Sequence, residues 1–430
     1  MQLYNTLLHN IAIMTHQHNR EICAADASPS ATPLATATHT PGEPLDSGTA
    51  ATAVQARVTR VAVSVFFLLH GLCFASWASR IPTFQSALQL SESALGTILF
   101  ALPMGFFISL PFSGWLIARL SSRRVVLLSS TGYALSLLGI GFSNTGIQIF
   151  AALLIFGFFA NMLNISMNTQ AVAVERIYGK RLLATFHGLW SLAGFASAAL
   201  GTWMIGLELS PRIHFTFIAL VFVPGIILAG RHLIKHDEQP KEKLPLLAMP
   251  DKALLGLGLI AFCSMMVEGG MFDWSGVYMS KVVHADKAQA ALGYTLFMIA
   301  MAAMRFAADS ITVRFGLKRT LQGSGMLAAT GLLLAVAAPQ YTPAILGLIL
   351  VGMGVSSVVP MVYSAAGRSR TLSAGTAITA VSSLGFMGFL IGPPAIGYLA
   401  AAVTLRGSFI GLAVMALCVV ILASVQRFGK

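Results

Sequence analysis

Twelve apolar stretches, each near the roughly 20 residues that a helix needs to cross a bilayer, follow one another down this chain. They lie at about 60–81, 92–118, 124–143, 147–172, 184–206, 212–231, 253–279, 290–313, 319–338, 342–366, 373–400 and 405–426. In lipid every backbone polar group must be bonded internally, so runs of this length are helices. The 430 residues are 56% hydrophobic and only 10% charged, where soluble domains carry roughly 25% charge. The fold class is therefore an all-α membrane protein with twelve transmembrane helices. The second, seventh and eleventh runs are long, which implies tilt or extension beyond the hydrocarbon.

Basic residues collect in alternate gaps. With the N-terminus inside, the cytoplasmic side holds 20 Lys and Arg against 5 on the other, so both termini are expected in the cytoplasm. The formal charge of +12 is thus a matter of topology and does not point to nucleic acid. The longest gap, RHLIKHDEQPKEKLPLLAMPDK, follows the sixth run. Basic turns recur six segments apart, LSSRR after the second run and VRFGLKR after the eighth. Two similar sets of six around a linker are the pattern of a transporter built from internal repeats. The expected organisation is a disordered tail over 1–55, a six-helix bundle over 56–231, a cytoplasmic linker over 232–252 and a second bundle over 253–430. The tail is rich in Ala, Thr, Ser and Pro. Its early apolar run, Leu7 to Met14, is too short for a secretory signal and has no basic leader.

Polar residues inside the apolar runs are the candidates for function. Asn161, Asn164 and Asn168 sit at i, i+3 and i+7, which puts them on one helix face as amide donors and acceptors for a small polar solute. Glu268 falls past the midplane of the seventh run; unless paired, a carboxylate there can load and release a proton near neutrality. The alternative is that it caps a helix broken at Gly269 and Gly270. Asp273, a turn further out, reads as a gate or a cap. Trp274 and Tyr278 either stack on a sugar ring or anchor the outer interface. Arg305 and Asp309, four residues apart, either neutralise each other on one face or contact an anionic solute. Glu175 and His187 fall near the inner mouth with Arg176 and Arg181, where a gate is favoured for Glu175 and a proton shuttle or a gate for His187. Gly385, Gly388 and Gly392 precede Pro393 and Pro394, which predicts close packing followed by a helix break; Pro360 and Pro224 predict weaker bends.

The turn GWLIARLSSRRV resembles the loop between the second and third helices of the major facilitator superfamily, with Gly114, Leu116, Arg119 and Arg123 in place. Ala118 stands where that motif has Asp, and Ser121 where it has Gly. A second copy contains Asp309, Arg314, Phe315, Gly316, Lys318 and Arg319. From residue 60 onward the chain resembles the fucose-permease-like branch of that superfamily, and within it the bacterial inner-membrane permeases of the YbjJ type. The residues that carry this are Gly71, Trp77, Ile81 and Pro82, then Asn164, Asn168, Glu175, His187 and Trp190, then Glu268, Asp273, Trp274, Tyr278, Arg305 and Asp309, and the glycine run to Gly397. The resemblance implies the major facilitator fold of two six-helix repeats and transport of a sugar or sugar derivative, with Trp77 joining the substrate-binding set. Sugar permeases of this branch take protons on an acid in the first helix, and no acid lies between Arg60 and Arg80 here.

These readings describe a secondary transporter working by alternating access, coupled to protons. Its partners are a small-molecule substrate and the lipid bilayer, with no nucleic acid and no obligate protein partner. A nucleotide-binding loop is missing, and Cys23, Cys73, Cys263 and Cys418 have no metal spacing, so neither cofactor nor metal is expected. No nucleophile and base are joined by a motif, which argues against an enzyme. The rivals are an exporter of amphiphilic or drug-like compounds, suggested by the many Phe and Met, and a receptor or structural protein that kept the fold without turnover.

Overall fold

The computed structural model describes residues 47–179, 182–235, 252–369 and 374–426. Most of the expected tail and linker, and Lys180, Arg181 and Arg370, lie outside the described residues. Met1–Thr52 and Ala53–Lys430 are separate units, and all twelve membrane spans belong to the second.

The described residues form the helices α1 (Ser47–Ala87), α2 (Glu92–Leu120), α3 (Ser122–Gly141), α4 (Gly146–Tyr178), α5 (Leu183–Gly206), α6 (Pro211–Gly230), α7 (Lys252–Lys281), α8 (Lys287–Phe315), α9 (Leu317–Ala337), α10 (Tyr341–Val355), α11 (Val358–Ala366), α12 (Ala374–Ala402) and α13 (Leu405–Val425). They supply twelve apolar spans, α10 and α11 together making the tenth. Cap residues explain the starts. Ser91 accepts from the Ala94 amide at the head of α2, and Asp286 forms a reciprocal capping box with Gln289 at the head of α8.

The two basic turns share one backbone shape. Ser121, between α2 and α3, has φ 76° and ψ 153°; Gly316, between α8 and α9, has φ 81° and ψ 154°. A positive φ favours glycine, so the first turn carries a serine where the conformation asks for no Cβ. Two residues on, Arg123 Nε donates to the Gly230 carbonyl at the end of α6 (3.0 Å), and Lys318 Nζ donates to the Ser424 carbonyl near the end of α13 (2.6 Å). Each basic side chain thus serves free carbonyls at a helix C-terminus.

Two expected breaks are absent and one is sharper than expected. α12 runs unbroken through Pro393 and Pro394, because neighbouring helices can support the backbone that proline leaves unbonded. α7 runs unbroken through Gly269 and Gly270, whose open faces take Phe389, and Ile396 with Leu412. The tenth span does break, at Ser356 and Ser357. Pro360 has no N–H to give to the Ser356 carbonyl four residues back.

Candidate functional site

The freed Ser356 carbonyl accepts from Arg305 Nε at 3.1 Å. The same guanidinium, on α8, reaches two other helices. Its Nη2 donates to Glu268 Oε1 of α7 at 3.2 Å, and its Nη1 donates to Ser191 Oγ of α5 at 2.9 Å. Glu268 and Ser356 belong to the second set of six spans and Ser191 to the first, so one side chain joins both halves. The side chains of Arg305 and Glu268 remain 28% and 14% exposed. The spacing offers Arg305 either Asp309 or an anionic solute as its partner; in the structure it pairs with Glu268, while the Asp309 side chain lies outside the described set. Nor is Glu268 far from the His187 region. α7 is 30 residues long and extends past the apolar run at both ends, which brings Glu268 close to its middle. Tyr363 of α11 lies within electrostatic reach of Glu268.

One turn from Ser191, His187 is exposed on α5, with its ring edge-on to Phe67 at 5.3 Å and within electrostatic reach of Arg305. Behind it is a residue that is not among the sequence-derived candidates. His70, buried in the first span, accepts the Trp190 indole N–H on Nδ1 at 2.7 Å. Its Nε2 therefore carries the proton that bonds the Ala160 carbonyl at 3.2 Å. His70 also stacks on Tyr133. A histidine in the middle of an apolar run is a signal the sequence does carry, but a neutral imidazole marks a site less plainly than a carboxylate or a guanidinium does.

The remaining candidates divide by what they touch. Asn168 Nδ2 donates to the backbone carbonyl and the Oδ1 of Asn164, at 2.8 and 3.0 Å, and both residues are half-buried. Asn161 does not join them. It is buried, and its Nδ2 donates to the Phe106 carbonyl and Ser109 Oγ of α2, so its amide holds two helices of one half together. Glu175 Oε1 accepts the backbone N–H groups of Leu182 and Leu183, the latter at 2.7 Å, which caps the start of α5. Trp274 and Tyr278 are fully buried, so in this state neither ring anchors an interface and neither is open to stack on a solute. Tyr278 stacks on Phe409 at 4.0 Å and donates to the Ala335 carbonyl, while Trp77 packs against Phe84. Asp273 is half-buried, near Tyr294 of α8. Among the described residues no three His, Cys, Asp or Glu side chains converge as metal ligands.

Away from the basic turns the halves meet along two seams. At one, Thr202 of α5 bonds Thr295 of α8 at 3.0 Å. At the other, Thr97 of α2 bonds Tyr398 of α12 at 3.0 Å beside a glycine crossing, where a Cβ on Gly397 would lie 2.9 Å from Gly96 Cα. Between the seams, Phe74 of α1 meets Phe272 of α7 edge-on at 5.5 Å. Toward the basic turns, beyond Arg305, Phe306 is 78% exposed. A bundle of two six-span halves, joined at one end and sharing a charged group at mid-depth, has the layout of a membrane carrier.

Known proteins agree with that layout. The family model described as Major Facilitator Superfamily matches residues 63–282 and again 257–428. The chain belongs to the major facilitator superfamily, a family of membrane transporters rather than enzymes. It is 31% identical to an uncharacterised MFS-type transporter of Yersinia pestis, over 85% of this chain and 96% of the relative. It is 32% identical to an uncharacterised transporter of Sinorhizobium fredii, over 85% and 97%. Among solved structures, the nucleoside transporter NupG superposes with TM-score 0.67 at 15% identity, over 86% of this chain and all (100%) of that one. A D-xylose-proton symporter superposes with TM-score 0.67 at 13% identity, over 88% and 98%. At such identities these structures speak for the fold alone.

Proposed function

We propose that this protein is a secondary active transporter of the bacterial inner membrane, with both termini cytoplasmic, that moves a small polar solute by alternating access coupled to protons. The observation that carries the reading is the position of Arg305. Rocking of one half against the other carries Arg305 and Glu268 together and moves Ser191 separately, so the Arg305–Ser191 bond is the one the movement works on. On this reading the Arg305–Ser191 contact is made in one state only, and a proton on Glu268 removes the charge that holds Arg305. Asn164, with Asn168 beside it, presents amide groups suited to hydroxyls, which supports a sugar or sugar derivative. So does the resemblance to the fucose-permease-like branch and the YbjJ-type permeases. The D-xylose-proton symporter lends the reading its precedent for protons and sugars on this fold.

A thermal-shift screen of the purified protein against sugars, sugar acids and nucleosides identifies a binder, because a ligand of the folded state stabilises it by mass action. Uptake of that binder into proteoliposomes is expected to require an inward proton gradient and to fall at least tenfold in Glu268→Gln. Uptake indifferent to the gradient refutes proton coupling, and intact gradient-driven uptake in Glu268→Gln removes Glu268 from it. Cysteine labelling at Thr97 and at Phe306 should respond in opposite senses to the binder. A fixed pattern at both ends would favour a receptor without turnover.

A further inference from the structure

A second feature lies on the outside of the first half. A trough of about 520 Å³ runs between α1 and α6 at the end that bears the basic turns. Its walls are apolar, with Val61 on one side and Pro224 and Leu228 on the other, and its rim carries Arg57, Arg231 and His232. Its size falls within the roughly 300–1,000 Å³ typical of small-molecule sites. Val61 and Leu228 are well exposed, so the trough opens toward the surroundings of the bundle. Deeper in, the helices close up, since a Cβ on Gly225 would lie 2.8 Å from Leu69. Arg123 already serves the Gly230 carbonyl, so Arg231 is not required as a cap there. Neither the Arg57 nor the Arg231 side chain forms a hydrogen bond or ion pair with the described residues.

The internal repeat supplies a control. The offset in residue number that relates the two basic turns carries Val61 onto Gly256 and Arg231 onto Gln426. In the second half the Gln426 side chain lies over Gly256 and occupies that place. The trough is therefore a property of these residues and does not follow from the fold alone. A second trough, of about 330 Å³ between α8 and α10, is lined by Ala, Ile, Leu and Met, with no charged residue. Of these two, the first alone combines an apolar channel with a cationic mouth.

We propose that the α1–α6 trough is a binding site for an anionic phospholipid, with an acyl chain along Val61, Pro224 and Leu228 and the phosphate held by Arg57 and Arg231. Basic residues near a membrane surface attract acidic lipids with about 1 kcal/mol each, so two of them correspond to roughly 30-fold in affinity. The lipid would bridge the first and sixth spans and brace the first half against the movement of the second.

The test is native mass spectrometry and thermal unfolding of the full chain in detergent, with phosphatidylglycerol, phosphatidylcholine or inorganic phosphate added. Phosphatidylglycerol should be retained and should raise the unfolding temperature by several degrees. Phosphatidylcholine should do so weakly and inorganic phosphate not at all. Arg57→Gln/Arg231→Gln should weaken phosphatidylglycerol binding by about 30-fold. Val61→Trp, which fills the channel and keeps the charges, should also weaken it. Equal retention of the two lipids, or undiminished phosphatidylglycerol binding in both variants, overturns the site. Stabilisation by inorganic phosphate equal to that by the lipid makes it a free-anion site and overturns the proposal as well. Both arginines are exposed, so the charge variant keeps the fold and its result stands even if Val61→Trp does not express.

Discussion

One offset in residue number carries Ser91 onto Asp286, Ser121 onto Gly316 and Arg123 onto Lys318, each with its structural task intact. The same offset takes Arg305 back onto Leu110 and Glu268 back onto Cys73. The halves thus agree where the backbone sets the requirement, at helix starts, tight turns and helix ends. They differ at the positions of the ion pair, where the second half holds Arg305 and Glu268 and the first holds Leu110 and Cys73. The repeat supplies a frame, and the Arg305–Glu268 ion pair has been placed in one half of it.

That contrast can be broken most severely at the ion pair. Arg305→Leu installs the residue of the first half and leaves Glu268 without its cation. The expected result is loss of transport and a destabilisation of roughly 3 kcal/mol in denaturant unfolding, less if water reaches the carboxylate. Arg305→Leu/Glu268→Cys, which copies the first half entirely, should recover most of the stability and none of the transport. If the double variant is no more stable than the single one, the pair is not the reason for the cost.

The next largest effect is expected at the seams, one joined by threonines and the other by glycines. Gly397→Leu cannot fit against Gly96 and should cost about 1–3 kcal/mol in the joined state. Opening the seam relieves the clash, so labelling of a cysteine at Thr97 should rise in membranes. Thr202→Val, at the other seam, removes one hydrogen bond and should change labelling little. Equal responses at the two would erase the distinction drawn between them.

The turns offer a smaller and reciprocal test. Ser121→Gly is expected to stabilise by about 1 kcal/mol and Gly316→Ser to destabilise by a similar amount, because both positions have positive φ. Thermal unfolding of the pair checks this, and a loss of stability in Ser121→Gly would show that the serine side chain has a task of its own. Smallest of all, Arg123→Ala should cost a few tenths of a kcal/mol more than Lys318→Ala, since Arg123 is half-buried and Lys318 exposed.

The fold could be read from the sequence because hydropathy alone marks the spans, and the two basic turns mark the repeat. The site could be read only in part. Glu268 and Arg305 stand out as charges in apolar runs, but their pairing depends on how α7 and α8 are rotated against each other, which no spacing within one helix reveals. Spacing puts Asn161 beside Asn168, yet Asn161 bonds α2, because contact with a neighbouring helix decides what a side chain meets. Glu175 reads as a gate from its inner-mouth location, while its acceptor role at the start of α5 is visible only in three dimensions. The break at Ser356 is half legible, since Pro360 announces it while the group that uses the freed carbonyl lies on another helix.

Arg305 takes that carbonyl from the main chain, so the identity of the side chain at position 356 is immaterial to the bond. Ser356 is buried, so position 356 should tolerate replacement by small residues such as Ala or Gly, and position 360 should not tolerate loss of its proline. A library of small residues at the two positions, scored for transport, would show its intolerant site four residues away from the atom that Arg305 touches. Read without the structure, such a map would credit Pro360 with a direct part in handling the solute.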